Sequence, residues 1–453
     1  MKKKIVSLLM TAAMAATLLV GCGGSEPAPA ESSAPAESAP AESSAPAETT
    51  AETTAESAAE TTGDTAMADY SGVELTMWSM WSNNEPQGIV LQEAADAFKE
   101  KTGATVNIEW KGRDIKTIIA TALEAGEKID IFEEDYSRIG KTYAPFCLDL
   151  TEMAKAANYD AQSFKCFNDQ AVEWSGFLSS IAEQPQVGGI FYNKDIFEAS
   201  GITTLPATWE EFLTACKAMV DAGYEPMALD GAYADFFLGY HLSRHVGQDV
   251  LSELSVNGGW AENEQIIKGA QELIDFVNDG YLADGAPDEY PASQNKIGLT
   301  EKVAMVVCAN YVCAEVNNNT QTEINWGLMN YPSVEGGADA SNAYAGANSL
   351  AIPKNSENAQ AAFDFIMFLT SGEFDQKMAD SANQIPADPR NTAPAMMDGT
   401  VETLNATTSP LSWNMGLSDN SDLAPSIKDV AIGLFEGRYA TGEEFAKAMD
   451  ALY

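Results

Sequence analysis

Positive charge is scarce in this sequence. Its 453 residues carry 25 Lys and Arg against 67 Asp and Glu, a formal net charge of −42. A surface that negative repels phosphate backbones and anionic lipid head groups, which excludes nucleic acid as a partner and argues against anionic ligands. Histidine is nearly absent: His241 and His245 stand alone, four apart in "HLSRH". That spacing puts both on one helical face, as a metal site would need, but the Glu of a zincin helix and any evident third ligand are missing. Solvated or capping histidines, and no metal site, are therefore expected. "VNDGYLADGAPDEY" has acids without the spacing of a calcium loop. Cysteine is sparse and forms no CxxC pair. No GxxxxGK[ST], GxSxG or HExxH occurs, so the chain is not itself a nucleotide-driven motor and shows neither a hydrolase elbow nor a zincin helix. No cofactor is implied, and no repeat of 20 to 50 residues is present.

What is there begins with an export signal. Lys2, Lys3 and Lys4 precede a mainly apolar stretch, residues 5–20, too short to span a membrane comfortably. Leu19-Val20-Gly21-Cys22 resembles the lipobox of bacterial lipoproteins, which makes residues 1–22 a signal peptide and the Cys22 thiol the lipid acceptor. A multiply acylated cysteine holds a protein on a membrane firmly. Residues 23–70 then repeat Ala, Glu, Ser, Pro and Thr, with ten acidic residues, no Lys or Arg, and only Met67 as a large apolar side chain before Tyr70. Such a segment buries too little apolar surface to offset its ordering entropy and is expected to be a disordered tether. The expected location is the extracellular face of the cytoplasmic membrane, lipid-anchored, in a Gram-positive cell.

Residues 71–453 are long enough for two globular lobes. Of the five cysteines beyond Cys22 (Cys147, Cys166, Cys216, Cys308 and Cys313), most are expected as small core residues. "VELTMWSMW" reads as a strand with Val73, Leu75 and Met77 on one face and Trp78 in the core. Glu85-Pro86 opens a helix whose apolar positions include Ile89, Ala94, Ala97 and Phe98, ended by Gly103. Residues 105–110 form a second strand, 114–125 a second helix and 129–132 a third strand. This βαβαβ rhythm indicates α/β architecture with parallel strands, whose ligands sit beyond the strands' carboxyl ends. The loops there carry Trp81, Asn83, Asn84, Glu85, Glu133 and Asp135. Further along, Thr208 caps a helix with Glu211 as its capping-box partner, and Phe212, Cys216, Met219 and Val220 make its apolar face.

Several blocks then carry a resemblance: "FYNKDIFEASGI" with "LPATWEEF", "KVAMVVCANY", "AYAGANSLAIPKNSENAQAAFDFIMFL" and "NQIPADP". In this order they resemble the family-1 extracellular solute-binding proteins, the maltose-binding-protein-like components of ABC importers. The resemblance implies a two-lobed, type II periplasmic-binding-protein-like fold. Each lobe would have a central, mostly parallel sheet flanked by helices, and a hinge would have three crossings near 183–188, 326–333 and 384–388. Lobe 1 would comprise 71–185 plus 333–385, and lobe 2 186–332 plus 386–453. A permease pair with a cytoplasmic ATPase is the implied partner, and a monomer is expected.

A sugar needs aromatic plates for its C–H faces and polar side chains for its hydroxyls, because an unpaired buried polar group costs ~1–3 kcal/mol. Trp81, Trp413, one of Phe236 and Phe237, and Tyr311 are the candidate plates; Tyr311 stands where the family has a stacking Trp. Glu85, Glu133, Asp135, Glu183, Asp230 and Asn348 are the polar candidates, Glu183 at a position where the family places a cleft-lining carboxylate. Trp174, Trp209, Trp260 and Trp326 are assigned to packing. The expected function is capture of a neutral oligosaccharide without turnover. The rivals are a polyamine, peptide or metal-complex binder of the same fold, a surface glycosidase using two carboxylates, and a structural surface lipoprotein.

Overall fold

The structure is a computed structural model describing residues 67–453. The signal segment, Cys22 and nearly all of the tether lie outside the described residues. Thr65–Tyr453 forms one compact unit, built on eight strands: β1 Glu74–Ser79, β2 Thr105–Trp110, β3 Ile131–Asp135, β4 Ile181–Asn193, β5 Glu225–Ala228, β6 Val303–Ala309, β7 Trp326–Met329 and β8 Ala345–Ala351. Their order is β2-β1-β3-β8-β4-β6-β5, with β7 also on β4.

One strand makes this order possible. The first half of β4 pairs antiparallel with β8, from Ile181↔Leu350 to Val187↔Ala345. Its second half pairs antiparallel with β6 and β7, from Gly188↔Ala309 to Asn193↔Trp326. The strand therefore belongs to two sheets, and the change occurs at Gly188 and Gly189. Packing demands glycine at both. A Cβ on Gly188 would meet Phe236 Cζ at 2.8 Å, and one on Gly189 would meet the Met329 carbonyl oxygen at 2.7 Å. The Tyr240 hydroxyl fastens the change-over, donating to Gly188 O at 2.6 Å and accepting from Tyr344 N at 2.7 Å.

The sheets are mixed, not mostly parallel. β1 pairs parallel with β2 and β3, and β5 with β6, while β3–β8 and all β4 pairings are antiparallel. The βαβαβ rhythm is local and correct, but strands that return from distant sequence insert against it. In the first sheet alternate residues feed separate apolar clusters: Leu75, Met77, Ile131 and Leu350 join one, Trp78, Phe132 and Ala351 the other. Period-two alternation places these on opposite faces, each covered by helices.

Two helix faces differ in phase from expectation. In Pro86–Thr102 the core side is Val90, Leu91, Ala94, Ala95 and Phe98, while Ile89 is 47% exposed. In Trp209–Asp221, Trp209, Phe212, Ala215, Cys216 and Met219 are buried and Val220 is exposed. The latter helix does begin with the expected capping box, Thr208 accepting from Glu211 N and Glu211 from Thr208 N. All five described cysteines are buried and unpaired. Among the described residues no helix is long and apolar enough to cross a membrane.

Gly189→Val should lower stability by ~1–3 kcal/mol, because the added side chain overpacks against backbone that cannot yield. Urea unfolding should show a lower midpoint at unchanged slope; an unshifted midpoint would refute the packing account.

Candidate functional site

A cavity of about 360 Å³ lies where the two sheets meet. One wall comes from the end of β3 and the helix Lys165–Ser175, with Asp135, Tyr136, Gln170, Glu173 and Trp174. The facing wall comes from the helix Gln248–Asn257 and the segment 409–419, with Gln248, Asp249, Trp413 and Asp419. Tyr344 and Gly346 from the start of β8 close the base.

Both tryptophans are held from behind. Trp174 packs on Tyr136 with ring centroids 4.8 Å apart, and Lys141 Nζ lies 4.7 Å over its ring. Trp413 stacks on Phe236 at 4.3 Å and meets Tyr344 edge-on at 5.2 Å. The loop presenting it is constrained: Asn414, Met415 and Gly416 take φ of 58°, 51° and 91° in succession. A left-handed Met is rare and persists only where its surroundings hold it. Here Asn414 Nδ2 donates to Asp235 Oδ2 at 2.7 Å, Ser412 N donates to Gln248 Oε1 at 2.9 Å, and Met415 is fully buried. Asp135 Oδ1 caps the turn that follows β3, accepting from Ser137 N and Arg138 N. Its Oδ2 accepts no bond among the described residues, which leaves it for the cavity.

Of the residues named from sequence, the cavity thus brings together Asp135 and Trp413. Asn348 is Asp135's partner across the β3–β8 ladder. Phe236 lies behind Trp413, fully buried; Phe237 packs on Phe435 and Phe276 in the core. Trp81, Asn83, Asn84 and Glu85 gather away from the cavity. There Arg113 lies 4.2 Å over the Trp81 ring and pairs with Glu85 at 2.8 Å, while both asparagines face solvent. Asp230 is fully buried and accepts from Ser293 N and Gln294 N at the start of the helix Ala292–Thr300, a helix-terminal role. Tyr311 packs beside Tyr233 and borders no part of this cavity. Trp174, assigned to packing from sequence, is a cavity wall. Trp260 and Trp326 are core residues.

Glu133 and Glu183 form a buried pair below this region. Glu133 accepts from Ser79 Oγ at 2.8 Å and Met80 N at 3.3 Å. Glu183 is the extra residue of a bulge where β4 steps from Ala182↔Ser349 to Gln184↔Asn348. Both Glu183 oxygens and Glu133 Oε1 are buried without a hydrogen-bond partner, which favours a proton held between the two carboxylates. Burial raises Glu133 to about 7 despite its donors. Burial, with the Glu133 charge added, raises Glu183 well above the carboxylate range.

The histidines are neither solvated nor capping. Both are buried, and Glu272 from another helix supplies a third group beside them.

The family model for the bacterial extracellular solute-binding protein matches residues 82–374. The melibiose/raffinose/stachyose-binding protein MelE of Bacillus subtilis is 22% identical over 335 residues, 71% of this chain and 75% of its own. The diacetylchitobiose binding protein DasA of Streptomyces coelicolor is 25% identical over 347 residues, 72% of this chain and 76% of its own. A sugar transporter of Bacillus licheniformis solved in complex with stachyose superposes with TM-score 0.57 at 17% identity, covering 84% of this chain and 99% of that one.

The carboxylate pair makes a pH prediction. A carboxyl whose folded-state pKa lies above its unfolded value keeps a proton the unfolded chain has lost, so stability falls as pH rises between the two, by up to ~1.4 kcal/mol per pH unit for one proton. Glu183→Gln removes the Glu183 share of this loss. Its melting temperature relative to the wild type should climb between about pH 5 and pH 8; a constant difference would refute the shared proton.

Proposed function

Since the chain belongs to the bacterial extracellular solute-binding proteins, we propose that it captures a neutral oligosaccharide between its lobes. Closure would turn on β4 and the other crossings, and the sugar would pass to the permease of an ABC importer driven by a cytoplasmic ATPase. The single observation that carries the reading is the pair of tryptophans, each backed by a second aromatic ring, facing one polar cavity from the two sheets' sides. Indole faces take the C–H surfaces of a sugar ring, and Gln170, Gln248, Asp135, Asp249 and Asp419 offer partners for its hydroxyls. MelE and DasA, by name, bind oligosaccharides. The protein binds without turnover and works as a monomer, lipid-anchored through Cys22 on the outer face of the cytoplasmic membrane of a Gram-positive cell. The lobe boundaries proposed are 71–185 plus 333–385 and 186–332 plus 386–453.

One observation favours a second reading. Asp135, Glu173, Asp249 and Asp419 border the cavity against Lys141 alone among the cations, an arrangement that also suits a polyamine.

A thermal-melt screen against mono-, di- and oligosaccharides, with spermidine alongside, separates the two. A ligand at ~100 times its Kd adds about 2.7 kcal/mol. One sugar class should raise the melting temperature and be recovered unchanged, and Trp413→Ala or Trp174→Ala should each weaken it tenfold or more, ~1.4 kcal/mol. Stabilisation by spermidine alone would overturn the sugar reading.

A further inference from the structure

The chain's two histidines converge on one carboxylate outside the lining of the cavity just described. On the helix Ala234–Val246, His241 and His245 lie one turn apart and face the same way. The helix Glu264–Asn278 crosses them closely, an approach that Gly269 permits: a Cβ there would meet His245 Cδ2 at 2.8 Å and Leu242 Cδ2 at 2.9 Å. One turn on, Glu272 Oε2 lies 3.0 Å from Nε2 of both rings. The three ligand atoms fall within 4.8 Å of one another.

We propose that His241, His245 and Glu272 bind one divalent transition metal of the zinc type, leaving a fourth position open to solvent. Two imidazole nitrogens and a carboxylate oxygen are the donor set of open zinc sites, whose tetrahedral ligand atoms stand about 3.3 Å apart. The two imidazole–carboxylate distances, 3.0 Å each, already stand near that spacing, and the two nitrogens, no more than 4.8 Å apart, close to it as the metal binds. On binding, the proton that each Nε2 gives to its hydrogen bond with Glu272 moves to Nδ1. For His241 that nitrogen faces the Tyr331 hydroxyl at 3.1 Å, an outer partner that fixes the ring, and Trp209 packs on the ring at 4.3 Å. His245 Nδ1 has no protein partner, so no bond opposes the same shift. Burial would raise the Glu272 carboxyl, yet the two ring N–H donors hold it down at about 2, so the ligand is ionised. Glu272 opens onto a cavity of about 700 Å³ bordered by Glu210, Asp275, Asp279 and Glu335, a field that gathers cations. Lys268, 3.8 Å from Glu272 Oε1, is the competing cation.

The test uses the full chain, 15N-labelled at histidine and stripped with EDTA, titrated with ZnCl2 and followed by ring-nitrogen NMR and calorimetry. Only two rings contribute to the spectrum. Both Nε2 signals should move together and saturate at one equivalent; Glu272→Gln should weaken binding at least tenfold, and Lys268→Gln should tighten it. Zinc taken up by the acidic surface while both rings stay unmoved would overturn the site, and so would undiminished affinity in Glu272→Gln. Neither result bears on the sugar cavity, which these residues do not touch.

Discussion

A strand shared between two sheets governs this molecule. β4 gives its backbone hydrogen bonds to β8 in its first half and to β6 and β7 in its second. The two halves of the protein are therefore joined by a ladder as well as by connecting chain. Motion between them must bend β4 near Gly188 and Gly189, where side chains are absent because the neighbouring phenylalanine and carbonyl leave no room. The cavity lies against this pivot: Tyr344 and Gly346 in its base adjoin the segment of β8 that pairs with Val187 and Gln186. A rotation there, as the proposed closure requires, would move Trp413 relative to Trp174.

Two further segments are tied by buried polar groups. The Asp375 carboxylate accepts from Ala387 N at 2.7 Å and Asp388 N at 3.0 Å, fixing the segment at 384–388. Arg244 bonds the Tyr331 carbonyl and Asn330 Oδ1, fixing the segment after β7. Tyr331 meanwhile stacks on Tyr240 at 5.1 Å, the same residue whose hydroxyl bridges β4 and Tyr344. β4, the segment after β7 and the histidine cluster are joined through that tyrosine pair.

Local features were legible in the sequence, and long-range ones were not. The Thr208–Glu211 box needs only residues three apart, and it forms as written. β1 and β2 follow from alternation within each segment. The antiparallel insertion of β8 between β3 and β4 depends on pairing across more than 150 residues, which no window registers. The error at Ile89 is one of phase: Val90 and Leu91 carry the buried stripe, and a short apolar series fits two neighbouring phases nearly equally. Asp135 and Trp413 could be named because each stands in a polar turn. Trp174 could not, since only Tyr136, 38 positions earlier, shows which way it faces. Glu272 escaped for the same reason: it meets His245 across two helices, 27 residues apart. The family resemblance supplied the two-lobed plan that local patterns alone leave open.

The placement of Trp174 and Trp413 has an optical consequence. Each indole is half-buried at the cavity, one beside the Lys141 ammonium and the other stacked on Phe236. The colour of indole emission depends on water and on nearby charge, and a solute entering here displaces the one and shields the other. With solute bound there as proposed, these two indoles would report occupancy against the background of the six other tryptophans.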